Sequence, residues 1–243
     1  MNWILLTCGC ALLSSLFSSA ASAANFEINN LQNLSQDEFR QLSEELGAAL
    51  SYKPLEPAAA LGITGFDLGV AASATELTNM PAVQKAVSNG TAYSTLPVPT
   101  LRATKGLPFN VDVGAMYARV PTSGINLYGA QIKWAILPGD VVLPAVALRG
   151  TFTRLNGVNQ LGFETSSVDL SISKGFVLLT PYAGVGQVRS RSATDGLPLA
   201  QVNLTQGKYF GGVNVNLGLS NIALEADSTG GIKTYSAKLG IRF

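Results

Sequence analysis

Residues Ile232 to Phe243 read I-K-T-Y-S-A-K-L-G-I-R-F. Taken two at a time back from Phe243, they give Ile241, Leu239, Ala237, Tyr235 and Lys233; the intervening row is Arg242, Gly240, Lys238, Ser236, Thr234 and Ile232. The first row is mostly apolar and the second mostly polar. Alternation at a period of two marks a β-strand whose two faces meet different surroundings. It persists to the last residue, where soluble domains more often fray. The closing strand of a soluble β-sandwich shows the same alternation, so the choice falls to the rest of the chain.

An aromatic final residue preceded by apolar residues at alternate positions resembles the C-terminal strand of Gram-negative outer-membrane β-barrels. The resemblance implies that Tyr235, Leu239, Ile241 and Phe243 form the signal read by the barrel-assembly machinery. It also implies escort by periplasmic chaperones, and outer-membrane lipid around the folded wall.

Working back from the terminus, alternating stretches recur. Ile222 to Asp227, Leu204 to Leu217, Leu161 to Ser173, Val142 to Thr153, Tyr128 to Ile136, Phe109 to Tyr117 and Ile63 to Thr75 all read as strands. Phe176 to Val188 is a further strand whose inward phase Gly184 and Gly186 leave open. Pro97 to Lys105 is another, weakened by Pro97 and Pro99, which cannot donate to a ladder. The total is ten, spaced as hairpins rather than as βαβ units. With the C-terminus in the periplasm, the connections on its side are short: 106–108, 137–140, 174–175 and 220–221. The other side carries Leu77 to Thr95, with a helical turn at Pro81 to Val87, the turn Pro121 to Gly124, and the loops Leu155 to Gln160 and Ser190 to Asn203. Short periplasmic turns and longer outer loops are the asymmetry of membrane barrels.

Ahead of the strands, Ser35-Gln36-Asp37-Glu38 is a capping box, and Leu34, Phe39, Leu42, Leu46 and Ala49 follow at helical spacing. This predicts a short amphipathic helix over about Gln36 to Leu50, standing in the periplasm. It would plug the barrel, bind a partner or simply pack on the nearest apolar surface. Ile4 to Phe17 is an apolar run, and Ala21-Ser22-Ala23 fits a cleavage site, so 1–23 is read as a secretory signal peptide. The expected organisation is signal peptide 1–23, periplasmic segment 24–60 and barrel 61–243.

Composition agrees. Charged residues make up 13% of the chain against about 25% in typical soluble domains, and the mean hydropathy is +0.27. Beyond the expected signal peptide there is no apolar run of ~20 residues that would make a spanning helix. A transmembrane barrel reconciles these facts by placing one residue in two toward lipid. The expected fold class is therefore all-β: a transmembrane antiparallel up-and-down barrel of about ten strands in the cell outer membrane. A soluble lipocalin-like barrel would instead bury the apolar rows.

If the polar rows face inward, the lumen holds Asp67, Asp112, Asp169, Glu225 and Asp227 with Arg102, Lys133, Arg149, Lys238 and Arg242. Such charges read either as a structural network, since charge at membrane depth must be paired or hydrated, or as the lining of a small, weakly selective pore. The chain has no His, which the enzymes of the resembled family use. It has no P-loop, no G-x-S-x-G and no His/Cys cluster for zinc. No catalytic residue, metal or cofactor is expected, and a net charge of +1 predicts no nucleic-acid partner. The expected function is a small passive channel or structural surface protein, with an adhesin acting through its loops, or a soluble secreted lipid-binding barrel, as alternatives.

Overall fold

The computed structural model describes residues 28–87, 94–119 and 125–243. The expected signal peptide 1–23 and the turn Pro121 to Gly124 lie outside the described residues. Among the described residues ten antiparallel strands close into an up-and-down barrel. They are β1 (Phe66–Glu76), β2 (Thr95–Leu107), β3 (Val111–Arg119), β4 (Asn126–Leu137), β5 (Ala145–Asn156), β6 (Leu161–Ser173), β7 (Leu179–Thr194), β8 (Val202–Leu217), β9 (Ser220–Thr229) and β10 (Ile232–Arg242). Each strand pairs with its sequence neighbours, and β1 closes on β10 with Val70 opposite Leu239. Closure leaves no unpaired edge, which a sheet in hydrocarbon cannot tolerate. Ten strands at a ~4.8 Å spacing and a ~40° tilt enclose a cylinder roughly 20 Å across between backbones, most of it taken up by side chains.

The alternation resolves into an apolar outside and a polar inside. Ile132, Trp134, Leu148, Val168, Leu170 and Ile172 are exposed on the outer wall, while Lys133, Arg149 and Asp169 are buried within it. Toward the rim opposite the C-terminus the polarity swaps. On β5, Leu148 and Phe152 face out, but beyond them Leu155 is buried and Arg154 exposed. On β6, Leu161 and Phe163 face in and give way to inward Ser167 and Asp169. On β8, inward Val202 and Leu204 precede inward Lys208. The wall thus has an apolar exterior over its lower part and an apolar interior over its upper part.

That upper interior holds the N-terminal helix, α1 (Gln36–Leu50). It starts as expected: Glu38 N donates to Ser35 Oγ at 3.3 Å and Ser35 N to Glu38 Oε2 at 2.9 Å, satisfying two otherwise orphaned donors. Phe39, Leu42 and Leu46 join Leu127, Leu155, Phe163 and Leu204 in one buried cluster. A Cβ on Gly47 would come within 2.5 Å of Gln206 Oε1, so glycine permits the close approach of helix to wall. A second helix, α2 (Met80–Ala86), stands in the β1–β2 connection. Glu45 caps it: its Oε1 accepts from the backbone N–H groups of Thr78 and Asn79 and from both their side chains.

This placement corrects one expectation. The helix was expected in the periplasm, on the side of the C-terminus; it lies at the opposite rim. Gln36 exchanges hydrogen bonds with Ala200 in the β7–β8 connection, and Ile28 forms a bridge with Val87 in the β1–β2 connection. The physical reason is the apolar upper interior, which buries the helix's apolar face where a polar exterior would leave it wet.

Connection lengths are corrected too. The loop expected over Ser190 to Asn203 shrinks to 195–201, because β7 and β8 pair up to Ser192 opposite Val202. The tight turn expected over Leu137 to Asp140 widens to 138–144, where Asp140 Oδ1 accepts from the N–H groups of Val142 and Leu143, both at 2.6 Å. The β9–β10 hairpin turns on Gly230 and Gly231 alone, both at positive φ (61° and 90°), as a two-residue turn requires.

Candidate functional site

After α1 the chain does not leave the barrel. Residues 51–61 run down the lumen from the upper rim to the C-terminal rim, where β1 begins. Tyr52, Lys53, Leu55, Glu56 and Ala58 are all buried. Pro54 and Pro57 lack an N–H, which suits an extended thread whose carbonyls are the groups needing partners. The wall supplies them: Thr153 Oγ1 donates to Leu50 O, Lys208 Nζ to Tyr52 O, Arg102 Nη2 to Pro54 O, and Lys133 Nζ to Pro57 O and Ala59 O. In the other direction the wall accepts from the thread. Leu55 N donates to Glu225 Oε2 at 2.8 Å, Ala58 N to Ser173 Oγ at 3.0 Å, and Leu61 N to the Asp112 carboxylate.

Two thread side chains enter the charge network. Lys53 Nζ lies 3.0 Å from Asp227 Oδ1. Glu56 Oε1 lies 3.3 Å from Arg149 Nη2 and 3.5 Å from Lys133 Nζ, and accepts from Gln131 at 2.9 Å. The guanidinium of Arg102 stacks over the Tyr52 ring, 4.5 Å from its centroid.

All ten charged residues expected in the lumen point inward. Asp67 pairs with Lys238 at 3.0 Å and takes two hydrogen bonds from Arg242; Asp112 pairs with Lys133 at 3.0 Å. The others do not meet one another. Asp169 pairs with Lys208, Asp227 with Lys53, and Arg149 with Glu56. Glu225 accepts from Tyr182 Oη as well as from the thread. A charge buried alone is costly, whereas a paired and hydrogen-bonded one is tolerated, and here the thread completes the pairing.

Sequence reasoning missed Tyr52, Lys53, Glu56 and Lys208. A signal existed for Lys208 alone, which falls in the polar row of Leu204 to Leu217 that faces inward. Residues of the expected assembly signal take a different surface. Tyr235, Ile241 and Phe243 are exposed on the outer wall, Leu239 is half-buried there, and Phe243 stacks on Phe66 with ring centroids 5.9 Å apart.

No protein-family model and no curated protein matches the chain. Among solved structures it is similar to the N-terminal β-barrel domain of Pseudomonas aeruginosa OprF, with 13% identity and a TM-score of 0.38 over 75% of this chain and 99% of that one. Neisserial surface protein A is similar at 11% identity and a TM-score of 0.33, covering 74% of this chain and 96% of that one. The Acinetobacter baumannii outer membrane protein Omp33 is similar at 8% identity and a TM-score of 0.32, covering 75% of this chain and all of that one. By its own strand register the chain is a closed ten-stranded antiparallel up-and-down barrel, threaded by its own N-terminal segment.

Proposed function

We propose that this chain is an integral outer-membrane barrel that works as a closed surface protein rather than as an open passive channel or an enzyme. The wall's apolar exterior is what a lipid-facing surface needs, and a soluble barrel would not leave Ile132, Trp134 and Val168 in water. Its aromatic residues Tyr128, Phe152, Tyr209 and Tyr235 stand on the outer face at the upper end of the apolar band, suiting a membrane interface. The observation that carries closure is the thread 51–61, which occupies the lumen and is tied to the wall on every side. Planar-bilayer recording of the full-length protein tests it. Insertion without open steps is expected; reproducible steps from the unmodified protein would overturn closure.

A second reading, recognition of an external partner, has its own support. Above the aromatic band, β5, β6 and β7 continue into water and carry outward Arg154, Glu164, Arg189 and Arg191, with Arg154 opposite Glu164 and Glu164 opposite Arg191. Binding to a surface ligand that disappears when these side chains are neutralised favours it.

A further inference from the structure

The turns at the C-terminal rim are apolar where turns in water are polar. They are 62–65 ahead of β1, then 108–110, 138–144, 174–178 and 218–219. Among the described residues, the large hydrophobic side chains with the greatest exposure all stand in these turns: Val177 (103%), Val141 (95%), Phe109 (89%) and Val142 (81%). Two of them hold positive φ, Val177 at 51° and Phe109 at 65°. Glycine or asparagine adopts that conformation more easily, and a β-branched side chain is hard to seat there. A fully exposed side chain at a strained position does nothing for its own turn, so its use lies outside the chain.

The backbone of these turns is satisfied from within. Asp140 N donates to Leu143 O at 3.0 Å, Phe176 and Leu179 exchange both backbone hydrogen bonds, Leu178 O accepts from Asn216 N, and Leu219 O from Arg242 N. Lys174 Nζ reaches across to Asp140 O and Val141 O, and Lys105 Nζ to Ile63 O and Gly65 O. The charged residues of the five turns are Asp140 and Lys174, and both are bonded to turn backbone. Peptide groups entering an apolar medium need such partners, whereas water would supply its own. Height points the same way. From Tyr235 to Phe243, and from Tyr128 to Leu137, the wall descends roughly 20–23 Å at ~3.3 Å per residue and a ~40° tilt. The apolar band of a membrane barrel is about 25 Å tall, so it ends below the wall, among the turns. The aromatic residues differ accordingly. Tyr128, Tyr209 and Tyr235 of the upper band carry hydroxyls for head groups; at the lower rim stand Phe66, Phe109, Phe176 and Phe243, which have no polar atom and suit a deeper position.

The geometry points to an immersed base: the turns of the C-terminal rim insert into the apolar edge of the nearer phospholipid leaflet and anchor the barrel there, instead of standing in water. This rests on the membrane reading above. The chain's two cysteines, Cys8 and Cys10, fall in the expected signal peptide, so single spin labels can be placed at Phe109→Cys, Val177→Cys and Leu219→Cys. Each labelled barrel is reconstituted in phosphatidylcholine bilayers. Collision of the label with oxygen, which concentrates in hydrocarbon, is compared with collision with a water-soluble nickel chelate. Val168→Cys on the outer wall and Gln32→Cys at the upper rim serve as references. The three turn labels are expected to give an oxygen-to-nickel ratio near that of Val168 and well above that of Gln32. Turn labels that match Gln32 while Val168 favours oxygen overturn the immersed base alone. Turn labels screened from both reagents, as a second copy or a protein partner would screen them, also overturn it. A Val168 label that favours the nickel chelate overturns the membrane reading itself.

Discussion

Replacing Glu56 with glutamine strikes the thread at its most charged contact. Glutamine keeps the volume and an acceptor toward Gln131, but it removes the carboxylate lying 3.3 Å from Arg149 and 3.5 Å from Lys133. Lys133 retains Asp112 at 3.0 Å. Arg149 has no such reserve: it is fully buried, and its Nε and Nη1 have no hydrogen-bond partner among the described residues. Losing one member of a buried ion pair costs about 3–5 kcal/mol. At ~1.4 kcal/mol per tenfold, this moves the balance between threaded and released segment by roughly 10²- to 4 × 10³-fold. The wall ladders are untouched, so the cost falls on the thread, and release lets water reach Arg149. Glu56→Gln should show open steps in planar bilayers where the unmodified protein is silent, while still running as a folded barrel on an unboiled gel. Adding Arg149→Met should restore silence, because neither charge is then left alone. A Glu56→Gln protein as silent as the unmodified one would show that backbone hydrogen bonds alone hold the thread, and would refute the charge argument.

Chain polarity offers a second test: Gln32→Cys and Asp195→Cys, at the upper rim, should react with a membrane-impermeant maleimide on intact cells, whereas Val142→Cys should react only after permeabilisation. Reversed labelling would place the helix on the periplasmic side. The Glu38–Lys85 contact joins α1 to α2, and the hydrogen bond from Lys85, helped by the Ser35 backbone, holds the Glu38 carboxyl below its ordinary value of 4.5. A depressed folded pKa means that the stabilisation is fully present above the unfolded value and is lost as pH falls through the folded one. Amide-exchange protection of 80–86 should therefore drop on acidification below about pH 4.5, and Lys85→Ala should remove that acid step. Gly186→Ala should lower thermal stability by about 1–3 kcal/mol, since its Cβ would sit 2.3 Å from both Asp169 Oδ1 and Val168 O; Gly207→Ala, with nothing within 4 Å, should be neutral.

How far the sequence could be read follows from which physical signals are local. Strand periodicity, the Ser35–Glu38 capping box and the inward charge rows are properties of neighbouring residues, and each is present in the structure, although strand ends move: the strand expected over Phe176 to Val188 is Leu179–Thr194, and the one expected over Val142 to Thr153 is Ala145–Asn156. The phase of β7 was open because Gly184 and Gly186 face inward to make room. A Cβ on Gly184 would meet the Phe210 ring, and one on Gly186 the Asp169 carboxylate, so the side chains that would have declared the phase had to be absent. The path of 51–61 was illegible for a different reason. Lys53 and Glu56 find their partners at Asp227 and Arg149, far along the chain, and no period connects them. The shrunken β7–β8 loop was misread because polar Asn203 and Arg191 resemble loop residues, although on the upper wall they are strand residues facing water.

If the apolar exterior faces lipid, as proposed, the exchange of polarity partway up the strands bears on how deeply the molecule would sit. Sinking further would drag Arg154 and Arg189 into hydrocarbon, and rising would lift Leu148 and Val168 into water; both displacements meet a steep restoring force. On that reading the boundary is a waterline drawn in side chains, which would hold the barrel at one draught.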